Sequence, residues 1–202
     1  LVNWVLFGIL TEPVTDIDGN VYETVQIGEQ LWMAENLKVT HYQDDTAIPT
    51  GHSGSEWTQL FSTGAYAVYD DDPANADIYG NLYNWFAVDD ERGLCMDGWH
   101  VPSDEEFMEL EIFLGMNEED ANNTGFRGEE QNINGKLKEI GEAHWNTPNV
   151  GATNESGFTG LPGGSRSWIT GNYNFPIILD SFCYAGIDMA WFSQGRSNIE
   201  ID

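Results

Sequence analysis

The order of hydrophobic and polar residues predicts a β-hairpin near the start of the chain. Asp18-Gly19-Asn20 is typical of a turn, and it precedes the alternating run 21–27, VYETVQI. A period of two is the pattern of a strand with one buried face. We therefore expect a turn followed by a strand, with the globular part beginning at residue 14.

Residues 103–114 carry the clearest helix signal. Ser103 precedes three acidic residues, and Glu106 is placed to return a hydrogen bond to the Ser103 amide, which is a capping box at the positive end of the helix dipole. A glycine ends the segment. Its apolar stripe, spaced i, i+3 and i+7, consists of Phe107, Leu110 and Leu114.

The remaining pattern predicts an α+β fold. Residues 79–88 predict a shorter second helix, residues 43–64 read as a long polar surface loop, and the Gly-, Ser- and aromatic-rich part from residue 151 is typical of short strands. We expect two main helices and irregular antiparallel strands in one domain, 14–202, preceded by an apolar arm, 1–13.

Composition narrows the function classes. The formal net charge of −27 argues against a general nucleic-acid binder and against adsorption to anionic lipid, since both need clustered Lys and Arg. Hydrophobic residues make up 41% and aromatic residues 13% of the chain, enough for a packed core. The apolar run Leu1–Leu10 reaches about 15 Å as a helix, too short for a bilayer. Because the run lacks a basic flank and begins with Leu, we expect a processed or truncated chain that is extracellular or on the cell surface.

Three segments resemble the Fibrobacter succinogenes major paralogous domain, a family of bacterial surface proteins. They are residues 27–37 (IGEQLWMAENL), residues 79–104 (with YGNLYNWFAV and CMDGWHVPSD) and residues 144–166 (with HWN, GATNESGF and LPGGSR). The resemblance covers residues 14–195. It implies a C-type-lectin-like fold, shared with formylglycine-generating enzymes, and a role at the cell surface.

Two departures from that family lead to an assembly hypothesis. The family usually has a second cysteine in a closing strand near its end, whereas this chain has Cys183 earlier and lacks that strand motif. The resemblance therefore implies an open sheet edge. The apolar arm could fill it in its own chain or, as in strand-donated polymers, in a neighbour. The candidate assembly residues are Val2, Trp4, Leu6, Phe7 and Ile9.

Two clusters of oxygen ligands make calcium a candidate cofactor. The first consists of Asp70, Asp72, Asn75 and Asp77, and the second of Asn154 and Glu155. The first lacks EF-hand spacing, so a solvated acidic loop is the alternative. For the second, the alternative is a turn with self-capping side chains.

The sequence favours binding over catalysis. It has neither a G-x-S-x-G nor an H-E-x-x-H motif, and structural roles fit His100 and His144. A formylglycine-type enzyme would need paired cysteines in the C-terminal part, where only Cys183 lies. Cys95 and Cys183 could form a disulfide or stay buried thiols. We therefore expect a protein that is not an enzyme.

Aromatic residues crowd the C-terminal quarter among Gly, Ser and Asn, which suits either a ligand-binding face or core packing. The leading hypothesis is a non-catalytic extracellular adhesin or a filament subunit joined by strand donation. The alternatives are a monomeric carbohydrate- or protein-binding domain and, less favoured, a formylglycine-type enzyme. The candidate ligand-binding residues are Trp168, Tyr173, Tyr184, Trp191 and Phe192.

Overall fold

The computed structural model describes residues 9–123 and 127–174, which form an α+β fold of short elements. The strands are β1 (Ile9–Leu10), β2 (Val14–Thr15), β3 (Val21–Tyr22), β4 (Thr24–Ile27), β5 (Gln30–Met33), β6 (Tyr66–Ala67), β7 (Leu82–Tyr83), β8 (Ser165–Arg166) and β9 (Tyr173–Asn174). The helices are α1 (Gly54–Trp57), α2 (Ala74–Tyr79), α3 (Trp85–Val88), α4 (Asp104–Phe113), α5 (Glu118–Ala121) and α6 (Ile133–Leu137). All strand pairs in this part of the chain are antiparallel.

The predicted N-terminal hairpin is confirmed. β2 and β3 pair antiparallel, and the Asp16 carboxylate closes their turn by accepting from the Asn20 amide at 2.9 Å and from the Tyr22 hydroxyl at 2.6 Å. The strand does not continue regularly, because Glu23 interrupts it between β3 and β4. β4 is the centre of a three-stranded sheet with the order β1-β4-β5.

The helix predicted at 103–114 is confirmed as α4. The Ser103 side chain accepts from the Glu106 amide, and the Glu106 carboxylate accepts from the Ser103 amide at 2.8 Å, as a capping box requires. Phe107 and Leu110 are buried. Helix α4 ends just before Gly115, whose positive φ of +107° stops the helical path.

Three element predictions are wrong in part. In the segment 79–88, Tyr79 ends α2, Leu82–Tyr83 is a strand paired with β6, and Trp85–Val88 is helical. α4 is the one helix longer than two turns in the described part. The segment 43–64 is not only surface loop, because it contains α1, whose Trp57 is buried. The acidic stretch 70–77, for which a solvated loop was the alternative, contains the end of a 3-10 turn, Tyr69–Asp71, and the start of α2.

Two hydrophobic clusters make up most of the core, and β5 lies between them. Trp32 packs against the first cluster, where its ring meets Phe107 and Phe158 edge to face with centroids 6.0 Å apart. Met33 packs against the second. The first cluster contains Val25, Ile27, Leu110, Leu114 and Ile133, and the second contains Tyr22, Val39, Tyr42, Tyr83 and Leu94. Among the described residues, no helix is long and apolar enough to cross a membrane.

Candidate functional site

Among the described residues, the outer edge of β5 has backbone groups that pair with no other strand. β5 pairs with β4 in the register Ile27↔Gln30 to Thr24↔Met33, and the Ala34 amide donates to Glu23 O beyond it. Hydrogen-bonding groups alternate between the two edges of an antiparallel strand, so those of Leu31 and Met33 point away from β4. Neither residue makes a backbone hydrogen bond on that side to another described residue. Within the described part of the chain, β5 is therefore an edge strand of this sheet.

An apolar groove of about 330 Å³ runs along this edge. All four residues of β5 form one wall, and Gly98–Pro102 forms the opposite wall. Leu37 and Cys95 also line it. Its volume lies at the lower end of the range for ligand pockets, and its walls are mostly apolar, as those of such pockets are.

Polar groups lie at one end of the groove, where α4 begins. The His100 Nε2 atom lies 2.7 Å from the Glu106 carboxylate, and the Gln30 side chain donates to Glu106 O at 2.9 Å. The Ser103 amide and His100 hold the pKa of the Glu106 carboxyl below its ordinary value. The Ser103 hydroxyl accepts from the Glu106 amide at 3.3 Å, which completes the cap of α4.

Cys95 lines the groove as a half-buried thiol. Burial raises its pKa to about 11, so the reactive thiolate is scarce at neutral pH. It has no disulfide partner among the described residues. Cys183 lies outside the described residues, so the predicted Cys95–Cys183 bond stays untested.

The end of the arm forms a strand on the other side of the sheet. In β1, Ile9 faces Gln26 and Leu10 faces Val25, and the Thr11 amide continues the pairing with a bond to Thr24 O. Ile9 is thus the one candidate assembly residue within the described part. The other four, Val2, Trp4, Leu6 and Phe7, lie outside it.

A second, polar cavity of about 170 Å³ adjoins the groove at Met33, which lines both. Its polar lining includes Asn36, Lys38 and the pair His144–Glu139, in which Nδ1 lies 3.0 Å from the carboxylate. Phe158 supplies an aromatic surface. Such a mixture of donors, acceptors and a ring suits a small polar ligand.

The candidate calcium ligands are engaged in turns. The Asp72 carboxylate accepts from the Ala74 backbone amide at 3.0 Å, and the side-chain amide of Asn75 donates to Tyr69 O at 2.9 Å. The Asn154 side chain makes two bonds to Thr159, at 2.8 and 3.0 Å. Asp70, Asp77 and Glu155 are exposed.

Within residues 9–123 and 127–174, no group of three or more His, Cys, Asp or Glu side chains is placed to hold a metal ion. Calcium binding stays a prediction, which calorimetric titration with calcium tests.

The predicted aromatic ligand face is described only at its start. Trp168 is exposed, and Tyr173 is half-buried, with its ring packed on Arg166 and its hydroxyl donating to Asp71 at 2.5 Å. Tyr184, Trp191 and Phe192 lie outside the described residues.

The sequence analysis missed the groove because its walls come from distant segments. A local signal for the β4–β5 hairpin was present in the sequence, because Gly28 and Glu29 separate the two segments that form these strands. Gly28 has the positive φ, +62°, of a two-residue hairpin turn. That turn reverses the chain into β5 and so creates the edge.

In residues 9–123 and 127–174, the fold is an α+β domain in which an edge strand, β5, lies beside an apolar cleft. Residues 25–183 match the model of the Fibrobacter succinogenes major domain, and the chain belongs to this family. Comparisons with curated proteins and with solved structures found no match. Two of the family-like segments recognised in the sequence, 27–37 and 95–104, contribute the two walls of the groove.

Proposed function

We propose that this protein is a non-catalytic extracellular subunit that assembles on the bacterial surface by strand donation from its N-terminal arm. The assembly acts as an adhesin or a filament. Strand donation joins subunits through main-chain hydrogen bonds at a sheet edge, with side chains of the donor filling pockets of the acceptor.

The observation that carries the proposal is the pairing of Ile9–Leu10 with β4. Ile9–Leu10, at the end of the arm, forms a strand at the edge of the sheet. Thr11 and Glu12 continue this pairing, because the Thr11 amide donates to Thr24 O and the Thr24 hydroxyl donates to Glu12 O. Its sequence before Ile9, LVNWVLFG, is rich in the large and β-branched residues that strands favour. A segment of this kind is suited to add to a sheet edge.

A non-catalytic role is supported by how the titratable side chains are used. His41 lies 2.5 Å from Asp18, His100 is paired with Glu106, and His144 is paired with Glu139. Each pair joins neighbouring loops or a helix start.

The experiment compares the full chain with a chain that lacks residues 1–8, so that β1, Thr11 and Glu12 remain in place. Light scattering gives the mass, and electron microscopy of the same samples shows the form. We expect polymers from the full chain and monomers from the truncated one. Trp4→Asp in the full chain is the matched substitution and should also give monomers. Monomers from the unmodified chain at all concentrations would contradict the proposal.

We also propose that the fold is C-type-lectin-like, as the family resemblance implies. Its support is the membership of the family together with the α+β class. An experimental structure superposed on C-type-lectin-like domains tests it.

A monomeric carbohydrate-binding domain is the second candidate, and the polar cavity beside Met33 favours it. Asn36, Lys38 and His144 there offer hydrogen bonds of the kind that sugar hydroxyls accept and donate. Glycan-array binding by a monomeric sample, lost on His144→Ala, would support this candidate over assembly.

A further inference from the structure

We propose that the groove between β5 and Gly98–Pro102 is the acceptor site for the arm, residues 1–8, of a second copy of this chain. The inference rests on the proposed assembly and specifies where the donated strand binds. The donor strand pairs with the outward N–H and C=O groups of Leu31 and Met33, and its side chains enter the groove.

The register of β1 favours a second copy over the arm's own chain. Ile9 faces Gln26, and β4 ends one residue further on, at Ile27. β4 therefore offers its own arm a single additional partner. The open edge of β5 lies on the far side of β4, about 10 Å away across two strand spacings. Beyond Ile27, β4 offers no further partner to the arm of its own chain, and we place that arm in the groove of a neighbour.

The arm and the groove are chemically matched. Side chains two residues apart lie on the same face of a strand, so in a donated strand Val2, Trp4 and Leu6 would form one apolar face, with Asn3, Val5 and Phe7 on the other. The groove presents Leu37, Trp99, Val101 and Pro102 to that face.

The length of the edge also fits. β5 has four residues and so pairs with about four residues of a donor, fewer than the arm contains. The partner of this groove is therefore a short apolar β-strand, and this chain carries one.

A proline substitution at the outer edge of β5 tests the acceptor role of that edge without unfolding the domain. Proline removes an N–H, and strands tolerate it where that N–H points outward. Leu31 is 44% exposed and its N–H points away from β4, so Leu31→Pro should keep the fold and abolish polymers. Leu31→Thr also loses the leucine side chain but keeps the N–H, and it should polymerise more fully than Leu31→Pro. Ile140→Asp changes an exposed apolar residue outside both cavities and should polymerise as the unmodified chain does.

A crosslinking measurement does not depend on whether Leu31→Pro folds. A photoreactive phenylalanine analogue replaces Trp4 in the full chain, and isotopically labelled and unlabelled subunits are co-assembled and irradiated. We expect crosslinks between labelled and unlabelled chains, from position 4 to residues 30–33 or 98–102. Crosslinks within one chain, or to another surface, would overturn the inference.

The outcomes also separate this inference from the proposed function. If the full chain never polymerises, both fail. If polymers need residues 1–8 but persist in Leu31→Pro, with crosslinks elsewhere, strand donation stands and the groove is not its acceptor. Intrachain crosslinks from position 4 to the groove would mean that the arm fills its own groove.

Discussion

The Arg127 guanidinium donates to the Glu111 carboxylate at 2.7 Å, and both side chains are almost fully removed from solvent. Glu111 follows Leu110 on the buried face of α4, so its charge would be unfavourable there without a partner. Arg127 also lies 3.3 Å from Asp104 at the start of the helix. The arginine therefore ties the segment after α5 to both ends of the buried face of α4.

Removing the arginine should destabilise the domain strongly. Arg127→Met leaves the Glu111 charge buried, and breaking a buried pair in this way costs about 3–5 kcal/mol of unfolding free energy. The double variant Glu111→Leu/Arg127→Met removes both charges and should recover most of that loss. Urea denaturation of the three chains measures the difference. A double variant as unstable as Arg127→Met would contradict the explanation.

Arg166 should resist replacement by lysine. Its guanidinium lies between two rings, 4.6 Å from the centroid of Trp57 and 4.8 Å from that of Tyr173, and it donates to His52 O at 2.6 Å and to Gly171 O at 3.2 Å. Lysine keeps the charge but loses the planar stacking and the fixed fork of donors. We expect Arg166→Lys to lower the unfolding free energy by about 2 kcal/mol, from the lost hydrogen bond and ring contacts.

Arg92→Lys is the control for this substitution. Arg92 also stacks on a ring, that of Tyr42, but it is exposed, and its pair with Asp90 is at the surface. We expect Arg92→Lys to change the unfolding free energy by less than about 1 kcal/mol. Equal losses in the two chains would mean that burial of Arg166 does not matter.

Local signals explain which parts of the fold could be predicted. α4 was predictable because its cap and its apolar stripe lie within one short segment. Leu82–Tyr83 was predicted as helix because its spacing suits one, yet it is a strand because Tyr66–Ala67 pairs with it from a distant part of the chain. Pairing of that kind leaves no local trace in the sequence.

The candidate site was predictable only in outline. The family resemblance implied an open sheet edge but not which strand provides it. The groove needs β5 and Gly98–Pro102 side by side, and contact between segments about 70 residues apart is a tertiary property. The calcium prediction rests on the clustering of acidic residues, which is a local signal. An acidic segment such as 70–77 can also use its side chains to cap its own turns, so this signal does not distinguish the two roles.

The helix cap beside the groove should make stability depend on pH. Hydrogen bonds from the Ser103 amide and from His100 lower the pKa of Glu106 below its ordinary value of 4.5. A carboxyl whose pKa is lower in the folded state contributes stability above its unfolded pKa and loses it as the pH falls through the folded value. Glu106→Gln should therefore reduce stability at pH 6, by about 0.5 kcal/mol or less because the side chain is partly exposed, and not at pH 3.

Glu109→Gln is the matched control for the cap. Glu109 is exposed in the middle of the same helix, and its side chain makes no hydrogen bond to another described residue. Thermal unfolding of both variants at pH 6 and pH 3 gives the comparison. A Glu106→Gln deficit that is equally large at both pH values would contradict the assignment.

The Cys95 thiol should react slowly while the protein is folded. Its burial in the wall of the groove raises its pKa to about 11, so at pH 8 its thiolate fraction is roughly a hundredfold below that of an ordinary cysteine. In a Cys183→Ser chain, which leaves Cys95 as the sole thiol, Ellman's reagent should modify the folded protein about a hundredfold more slowly than the protein in urea. The Cys95→Ser chain gives the modification rate of Cys183 under the same conditions. Equal rates for Cys95 in the folded and unfolded states would mean that the thiol is accessible with an ordinary pKa. A faster rate in the folded state would mean an activated thiol, and would favour the thiol-dependent enzyme over a structural subunit.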